Sequence, residues 1–506
     1  MCRESSADRS LKVHLAFWGI PYRGYLPVSP PLYGLVCQKT QTKDQKHMRN
    51  IRKVVAAVGV AVVASLTVSS VALAESINGE GATFPQNFLA NAEVAFNAAN
   101  PGDTVAYKNP GPGSGTGKKT FKAATATSGI DYAGTDSAVS STDAASFDWT
   151  YVPYVGGAIA LGYRLDELKG ATLSLSANTL NGIFSGLITN WNDTNIAADM
   201  KANPTWTNTK KKSDYKGVVT QWQPVGPFAS IVTVTLNPAA LKKASGKKIE
   251  IYDNKAKKAI ATSVVAKKGE VTISAKNLSA AVEYSVKVDG KEVSKYKQGA
   301  VTLPDKTITV AYRGATSGTT NNFTLFMKSA VNADWTQNDS FTVGIPGGAA
   351  QATKQGSRFQ GFTGNTELAN YVAANNGSIG YMEVSFVNDR ASSGVKAALV
   401  KNAAGIYAAP TSANTASMLS GSTIDAKGFV TFDYKQTKNT NAYPIVAITY
   451  ALGKQAKSAK NALVAKYFKW IIETYAPANA EGLGYAPLTG ALKTAALEKV
   501  ALINSK

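Results

Sequence analysis

Apolar and polar positions alternate along much of this chain, and between the alternating stretches the period lengthens to that of a helix. Thr104-Val105-Ala106-Tyr107 and Thr307-Ile308-Thr309-Val310-Ala311-Tyr312 read as strands, and Ile130-Asp131-Tyr132-Ala133-Gly134-Thr135 as a short strand ending on Asp136-Ser137. Helical stretches follow. Phe88, Leu89, Ala92, Val94 and Phe96 mark one; Lys118, Lys119, Phe121 and Lys122 begin a second; Phe323, Leu325, Phe326 and Met327 mark a third. Phe468, Trp470, Ile471 and Ile472 read as core, and Ala491 to Ile503 as an amphipathic helix of the same domain. One block, from about Thr205 to Thr302, alternates without helical interruption: Ile231-Val232-Thr233-Val234-Thr235-Leu236, Lys248-Ile249-Glu250-Ile251-Tyr252, Val271-Thr272-Ile273-Ser274 and Val282-Glu283-Tyr284-Ser285-Val286-Lys287-Val288, the last running into the hairpin pair Asp289-Gly290. Strands so closely spaced predict a small immunoglobulin-like sandwich.

The chemistry lies in the polar loops between strand and helix. Arg313-Gly314-Ala315-Thr316-Ser317-Gly318-Thr319 offers a guanidinium, hydroxyls and backbone N–H groups at a helix N-terminus. Gly79-Glu80-Gly81-Ala82-Thr83-Phe84-Pro85 leads into the first helix, with Pro85 suited to a first turn. Gly111-Pro112-Gly113-Ser114-Gly115-Thr116-Gly117 leads into the second. Helix N-termini carry unpaired N–H groups and the positive end of the helix dipole, so each loop suits an oxyanion. The middle loop is not a nucleotide-binding P-loop. Pro112 stands where that motif needs glycine, and Lys119 where it needs Ser or Thr. On its own it reads as a flexible glycine-rich turn.

Asp136 breaks the pattern. A carboxylate beside an anion makes sense if the ligand carries a proton: the acid accepts a hydrogen bond from a protonated oxyanion and repels one with none to give, which separates hydrogen phosphate from sulfate. The bland reading of Asp136 is a turn or N-cap aspartate.

The chain has 506 residues and a net charge of +21. Met48-Arg49-Asn50-Ile51-Arg52-Lys53, the apolar run Val54 to Val71 and Ala72-Leu73-Ala74 form a secretory signal cleaved after Ala74, with an uncleaved membrane anchor as the alternative. Residues 1–47 then precede the natural start at Met48, through a misassigned start codon or as a cytoplasmic extension. Both cysteines, Cys2 and Cys37, and both histidines, His14 and His47, fall in that part. The mature protein therefore has no disulfide, no His- or Cys-based metal site and no histidine base for a Ser or Cys nucleophile, which argues against an enzyme such as a secreted phosphatase. Its remaining positive charge does not mark nucleic-acid binding, because the signal exports the protein and the aromatics do not interleave with the basic residues. A mild positive field gathers anions.

The four motifs in order resemble those of the phosphate-binding protein of the bacterial phosphate ABC importer. They are Gly81-Ala82-Thr83-Phe84-Pro85, Gly113-Ser114-Gly115-Thr116-Gly117, Tyr132-Ala133-Gly134-Thr135-Asp136 and Arg313 through Thr319. Asn190-Trp191-Asn192-Asp193, Gly377 through Glu383 and Tyr443-Pro444-Ile445 agree. The resemblance runs from about Ile77 to the C-terminus, interrupted by the β block. It implies an α/β fold: a two-lobed solute-binding protein of the Venus-flytrap kind, type II periplasmic-binding-protein-like, with the all-β insert as a third module. Lobe I would take residues 75–157 and 446–506, and lobe II residues 158–445, interrupted by 205–302. It implies a phosphate cage: backbone N–H from Thr83 and Phe84, the hydroxyl and N–H of Ser114, Asp136 as proton acceptor, Arg313 on two oxygens, and Ser317, Gly318 and Thr319 closing the cage from lobe II. It implies a monomer with no cofactor and no metal, partnered by inorganic phosphate and the permease subunits of an importer. In the family an acid often stands two residues after the arginine and steadies it; here that place is Ala315. The lipid-anchoring cysteine of many relatives is also missing at the cleavage site, so the protein would be extracytoplasmic, envelope-associated or free.

The insert holds eighteen lysines, no arginine and seven acids. Such a surface blocks edge-to-edge strand pairing. The functional alternative is adhesion to an anionic envelope polymer, and a phosphate-sensing or cell-surface adhesion protein built on the same fold is the rival to transport. Ala486-Pro487-Leu488-Thr489-Gly490 resembles a sortase signal but lacks the apolar tail.

Overall fold

The computed structural model describes residues 74–169, 171–202, 206–210, 218–226, 229–236, 245–265, 270–276, 278, 282–298 and 301–506. The leader and residues 1–47 lie outside them, so the signal and start-codon readings do too. Val71–Lys506 cluster as one unit.

Two parallel βαβ arrangements share one mixed sheet. In the first, β1 (Ser76–Gly81) runs parallel to β2 (Thr104–Tyr107) and to β3 (Tyr132–Thr135), with α1 (Gln86–Ala99) and α2 (Ser114–Ala123) as the crossovers. In the second, β5 (Thr309–Arg313) runs parallel to β6 (Phe359–Phe362) and β7 (Ser378–Glu383), crossed by α3 (Gly318–Phe326) and α4 (Asn365–Ala374). Parallel neighbours need such crossovers, and the helices cover the sheet so that strands are buried on both sides.

Two long antiparallel strands join the halves. β4 (Trp149–Arg164) is buried from Thr150 to Tyr163, and every residue of β8 (Val446–Lys454) is buried. Up to Ala158, β4 pairs with β8; from Ile159 it pairs with β7. The strand order is β6-β5-β7-β4-β8-β3-β1-β2. The change of partner falls within Gly156-Gly157-Ala158-Ile159-Ala160, opposite Ile445-Val446. One hydrophobic core runs through both halves and includes Phe468, Ile471 and Ile472, with Trp470 packed at its edge. Val94 corrects the helical reading: it is 72% exposed, because the buried face of α1 runs through Phe88, Leu89, Ala92 and Phe96, on the other side of the helix.

The described strands between Trp206 and Gln298 pair only antiparallel, in two sheets. One sheet runs Lys258–Val264, Lys248–Asp253, Tyr284–Val288, Lys291–Gln298, Trp206–Lys210; the other Glu270–Lys276, Ala229–Leu236, Val218–Gly226. Ile249, Ile251, Val286 and Val288 of the first share a small core with Ile273 and Ala275 of the second. Asp289 and Gly290 both take positive φ, 53° and 76°, as a two-residue hairpin turn requires.

Candidate functional site

In parallel sheets of this kind the carboxyl ends of the strands and the N-termini of the following helices lie together, and ligands bind there. Five such ends meet here. β1 ends at Gly81 and α1 starts at Gln86, leaving Thr83 and Phe84 between. The Gly113 N–H donates to Gly81 O at 2.8 Å, and Gly113 takes φ 94° as it opens α2 at Ser114. β3 delivers Asp136, β5 delivers Arg313, and β6 leads through Thr363 and Gly364 into α4.

The halves touch at these loops. A Cβ built on Gly318 would lie 2.7 Å from Ser114 Oγ and 2.8 Å from Asp136 N, so only glycine fits there; one built on Gly113 would lie 3.8 Å from Arg313 Nη2. Asn322 Nδ2 donates to Asp136 O (2.6 Å) and Gly318 O (2.9 Å), and Asn365 Nδ2 donates to Thr83 Oγ1 (3.2 Å). Ser114, Asp136 and Gly318, far apart in sequence, thus come together, with Arg313 beside Gly113 and Thr83 against Asn365, and Thr83, Ser114, Asp136, Arg313, Ser317 and Thr319 are all buried. Phe84 turns its ring into the core against Tyr485 and contributes backbone only, its carbonyl accepting from Tyr485 OH at 2.8 Å. Ser317 is partly committed: its N–H donates to Asp339 O (2.9 Å), and its Oγ accepts from Thr320 N (3.3 Å) as the α3 cap.

Charged side chains are seldom fully buried without partners, yet Arg313 and Asp136 are each 2% exposed. Arg313 is tied down: Nε (2.9 Å) and Nη2 (2.6 Å) both donate to Thr363 O, and its backbone N–H donates to Tyr381 OH (3.2 Å). Thr363 O therefore does the steadying that an acid at Ala315 would do, and leaves three of the five guanidinium N–H donors for a ligand. Burial pulls the guanidinium below its ordinary pKa, while Tyr381, Asp136 and Glu367 hold it up.

Asp136 is the opposite case. Its Oδ1 has no partner among the described residues, and its Oδ2 receives only a long hydrogen bond from Ser114 Oγ at 3.4 Å. Burial pushes the carboxyl up to about 7, against the pull of Thr449, Arg313 and Ser114, and Asp339 adds to the rise. Thr449 Oγ1 lies close without a hydrogen bond of ordinary geometry. Thr319 Oγ1 is also buried without a partner. An unpaired carboxyl oxygen, an unpaired hydroxyl, a guanidinium with spare donors and converging helix N-termini suit a small tetrahedral oxyanion bearing a proton. Among the described residues no group of three or more His, Cys, Asp or Glu is placed to hold a metal, and no helix is long and apolar enough to cross a membrane.

Sequence reasoning missed Thr363, Asn365, Tyr381 and Asn322. The α4 turn had a visible signal: Glu367 stands three residues after Gly364 and its Oε2 accepts from Gly364 N at 2.9 Å, the spacing of a capping box. Lys118 was also misplaced. The helix starts four residues earlier, at Ser114, and Lys118 is buried in it.

A family model described as the PBP superfamily domain matches residues 66–212 and 225–474. The chain is 24% identical over 418 residues to a "Phosphate-binding protein PstS" of Xylella fastidiosa, covering 81% of each chain. A solved DING protein matches with a TM-score of 0.51 and 18% identity, over 83% of this chain and 93% of that one. A human phosphate binding apolipoprotein matches with a TM-score of 0.50 and 18% identity over the same shares. The family match spans most of the chain, including all five converging loops, and the solved structures share the two-lobed α/β architecture. The chain belongs to the PBP superfamily.

Proposed function

We propose that this protein binds inorganic phosphate outside the cytoplasm and delivers it to the permease of an ATP-driven importer. The observation that carries the reading is the pairing of a buried, held guanidinium at Arg313 with a buried, unsatisfied carboxyl at Asp136. Similarity to the Xylella phosphate-binding protein supports phosphate as the ligand.

In this reading the first-turn N–H groups near Thr83 and Phe84, the Thr83 hydroxyl, and the N–H and hydroxyl of Ser114 donate to phosphate from lobe I. Thr83 Oγ1 accepts from Asn365, which leaves its own proton to give. Arg313, the Ser317 hydroxyl, the Gly318 N–H and Thr319 donate from lobe II. Asp136 Oδ1 takes the ligand's proton. Burying a multiply charged anion is costly unless its oxygens are fully hydrogen-bonded; charge-assisted bonds of about 1.5–3 kcal/mol each offset that cost. The two connecting strands, β4 and β8, act as the hinge between lobe I (75–157 and 446–506) and lobe II (158–445), and ligand contacts from both lobes favour closure.

Calorimetry with phosphate and sulfate on the chain from residue 75 onward tests the reading. Phosphate heat with micromolar or tighter affinity is expected, with sulfate about 10- to 100-fold weaker from the loss of one hydrogen bond to a charged group. Absence of phosphate binding, or equal binding of the two anions, overturns it.

A further inference from the structure

Among the described residues one ion pair joins the two halves. Lys118 Nζ lies 2.8 Å from Asp339 Oδ2, with side chains 5% and 19% exposed. Every other ion pair among them lies within one half or within the insert. Lys118 also donates to Ser137 Oγ and Ala138 O, both at 3.1 Å, which uses all three ammonium protons. Asp339 Oδ2 accepts in addition from Ser137 Oγ at 3.3 Å, and Asp339 O accepts from Ser317 N at 2.9 Å.

The placement is specific. Lys118 stands one helical turn beyond Ser114 on the same face of α2. Ser137 follows Asp136, and Asp339 holds the backbone of Ser317. The pair thus ties three of the ligand loops together across the cleft, and it is not one of the residues assigned to the anion.

We propose that Lys118 and Asp339 form a latch that sets how long the cleft stays shut on its ligand. This rests on the phosphate reading for the ligand but not for the motion. A buried pair is costly to break by removing one partner, because the other charge is left without compensation. When the lobes part, the contact with Asp339 is lost while Lys118 keeps Ser137 and Ala138 of its own lobe, so the pair acts on the open–closed balance. A ligand that needs the closed state then binds more weakly by the fraction of closed state lost. The asymmetry between the two charges adds a second effect. Without Lys118, the carboxylate of Asp339 faces the anion site alone.

The test measures phosphate association and release by stopped flow in wild type, Lys118→Met, Asp339→Asn and the charge-swapped double variant Lys118→Asp/Asp339→Lys. The distance between probes on the two lobes is measured in parallel, with and without phosphate. Release is expected to accelerate about 10- to 100-fold in each single variant, with Lys118→Met the larger. Association should change less than about 3-fold, since encounter occurs with the open cleft. The charge swap should recover part of the lost residence time. Unchanged release in both single variants overturns the latch, as does an unaltered probe distance. So does a fall in association equal to the rise in release together with a lowered melting temperature, which would mean lobe damage. If the wild type binds no phosphate, the ligand reading fails. The ligand-free probe distance then decides the latch alone: a shift to the open state in Lys118→Met supports it, and no shift overturns it.

Discussion

The two halves of the site are built alike and finished in opposite ways. Each places strand ends against helix N-termini, and each buries one charged side chain there. On the β5 side, Arg313 is held by two bonds to Thr363 O and by Tyr381 through its backbone. On the β3 side, Asp136 leaves one carboxyl oxygen with no partner among the described residues. A held cation is ready for any oxyanion and pays no ordering cost when one arrives. An unsatisfied carboxylate, while ionised, is a standing cost removed only by a ligand that brings a hydrogen. The difference teaches a division of labour in the proposed function: the β5 side supplies affinity, and the β3 side supplies choice.

The largest effect should follow removal of the held charge. Arg313→Ala is expected to weaken phosphate by about 3–5 kcal/mol, the range for stripping one partner from a buried charged contact. Calorimetry checks it. The division of labour breaks if Asp136→Asn costs phosphate more than Arg313→Ala does.

Asp136→Asn should act on the ratio instead. The amide can donate to sulfate where the carboxylate repels it. Phosphate affinity should fall by about 10-fold or less, while the phosphate-to-sulfate preference should shrink by about 10- to 100-fold, the worth of one hydrogen bond to a charged group. Competition of the two anions in one titration reads this directly. Equal preference in variant and parent would remove the acid's role as selector.

The same acid gives a pH signature. Burial raises the Asp136 carboxyl from the ordinary carboxylate range to about 7. A raised native value means the folded form keeps a proton that the unfolded chain has released. The stabilisation is therefore fully present below the unfolded value and is lost as pH rises through about 7. For binding, the neutral acid below about 7 can donate to sulfate, and the carboxylate above it cannot. Sulfate affinity in the wild type should rise by up to about 10-fold as pH drops from 8 to 6, and Asp136→Asn should flatten that dependence. A flat wild-type profile would place the proton elsewhere.

Ser114→Ala should cost less, about 0.5–1.5 kcal/mol, since one neutral hydroxyl donor is lost and the α2 N–H groups remain. Its bond to the acid makes it a sharp control: Ser114 Oγ donates to Asp136 Oδ2 at 3.4 Å, so its loss should also disturb sulfate exclusion slightly.

Much of this arrangement was legible in the chain because it rests on local rules. Strand alternation, a glycine-rich or Ser/Thr-rich turn and a helix start are each written within ten residues, which is why the loops at Thr83, Ser114 and Arg313 could be read in order. So could the insert's alternating stretches, which lie in strands such as Lys248–Asp253 and Tyr284–Val288. The rest depends on groups with no sequence signature. Any residue has a carbonyl, so nothing marked Thr363 as the support of Arg313 fifty positions away. Lys118 and Asp339 meet only because two crossovers bring their loops together, at a separation of 221 residues. Val94 failed for a plainer reason: apolarity was counted without its angle around the helix.

The smallest expected effect bears on whether the β5 side is as well held as the geometry indicates. The family resemblance implies an acid two places after the arginine, and this chain has Ala315 there. If Arg313 needed that acid, Ala315→Asp would hold the guanidinium more firmly and tighten phosphate. But Thr363 O already occupies the Nε and Nη2 donors that a nearby carboxylate would seek, at 2.9 and 2.6 Å. A second acceptor would compete for the donors needed by the ligand and would add a negative charge near the anion. Coulomb repulsion at a half-buried position is partly screened, so the two effects should nearly cancel or cost slightly. Ala315→Asp should therefore change phosphate affinity by less than about 3-fold, well within one hydrogen bond's worth. A tenfold gain would show that Thr363 holds the arginine loosely, and that the contrast between a finished cation and an unfinished acid is overstated.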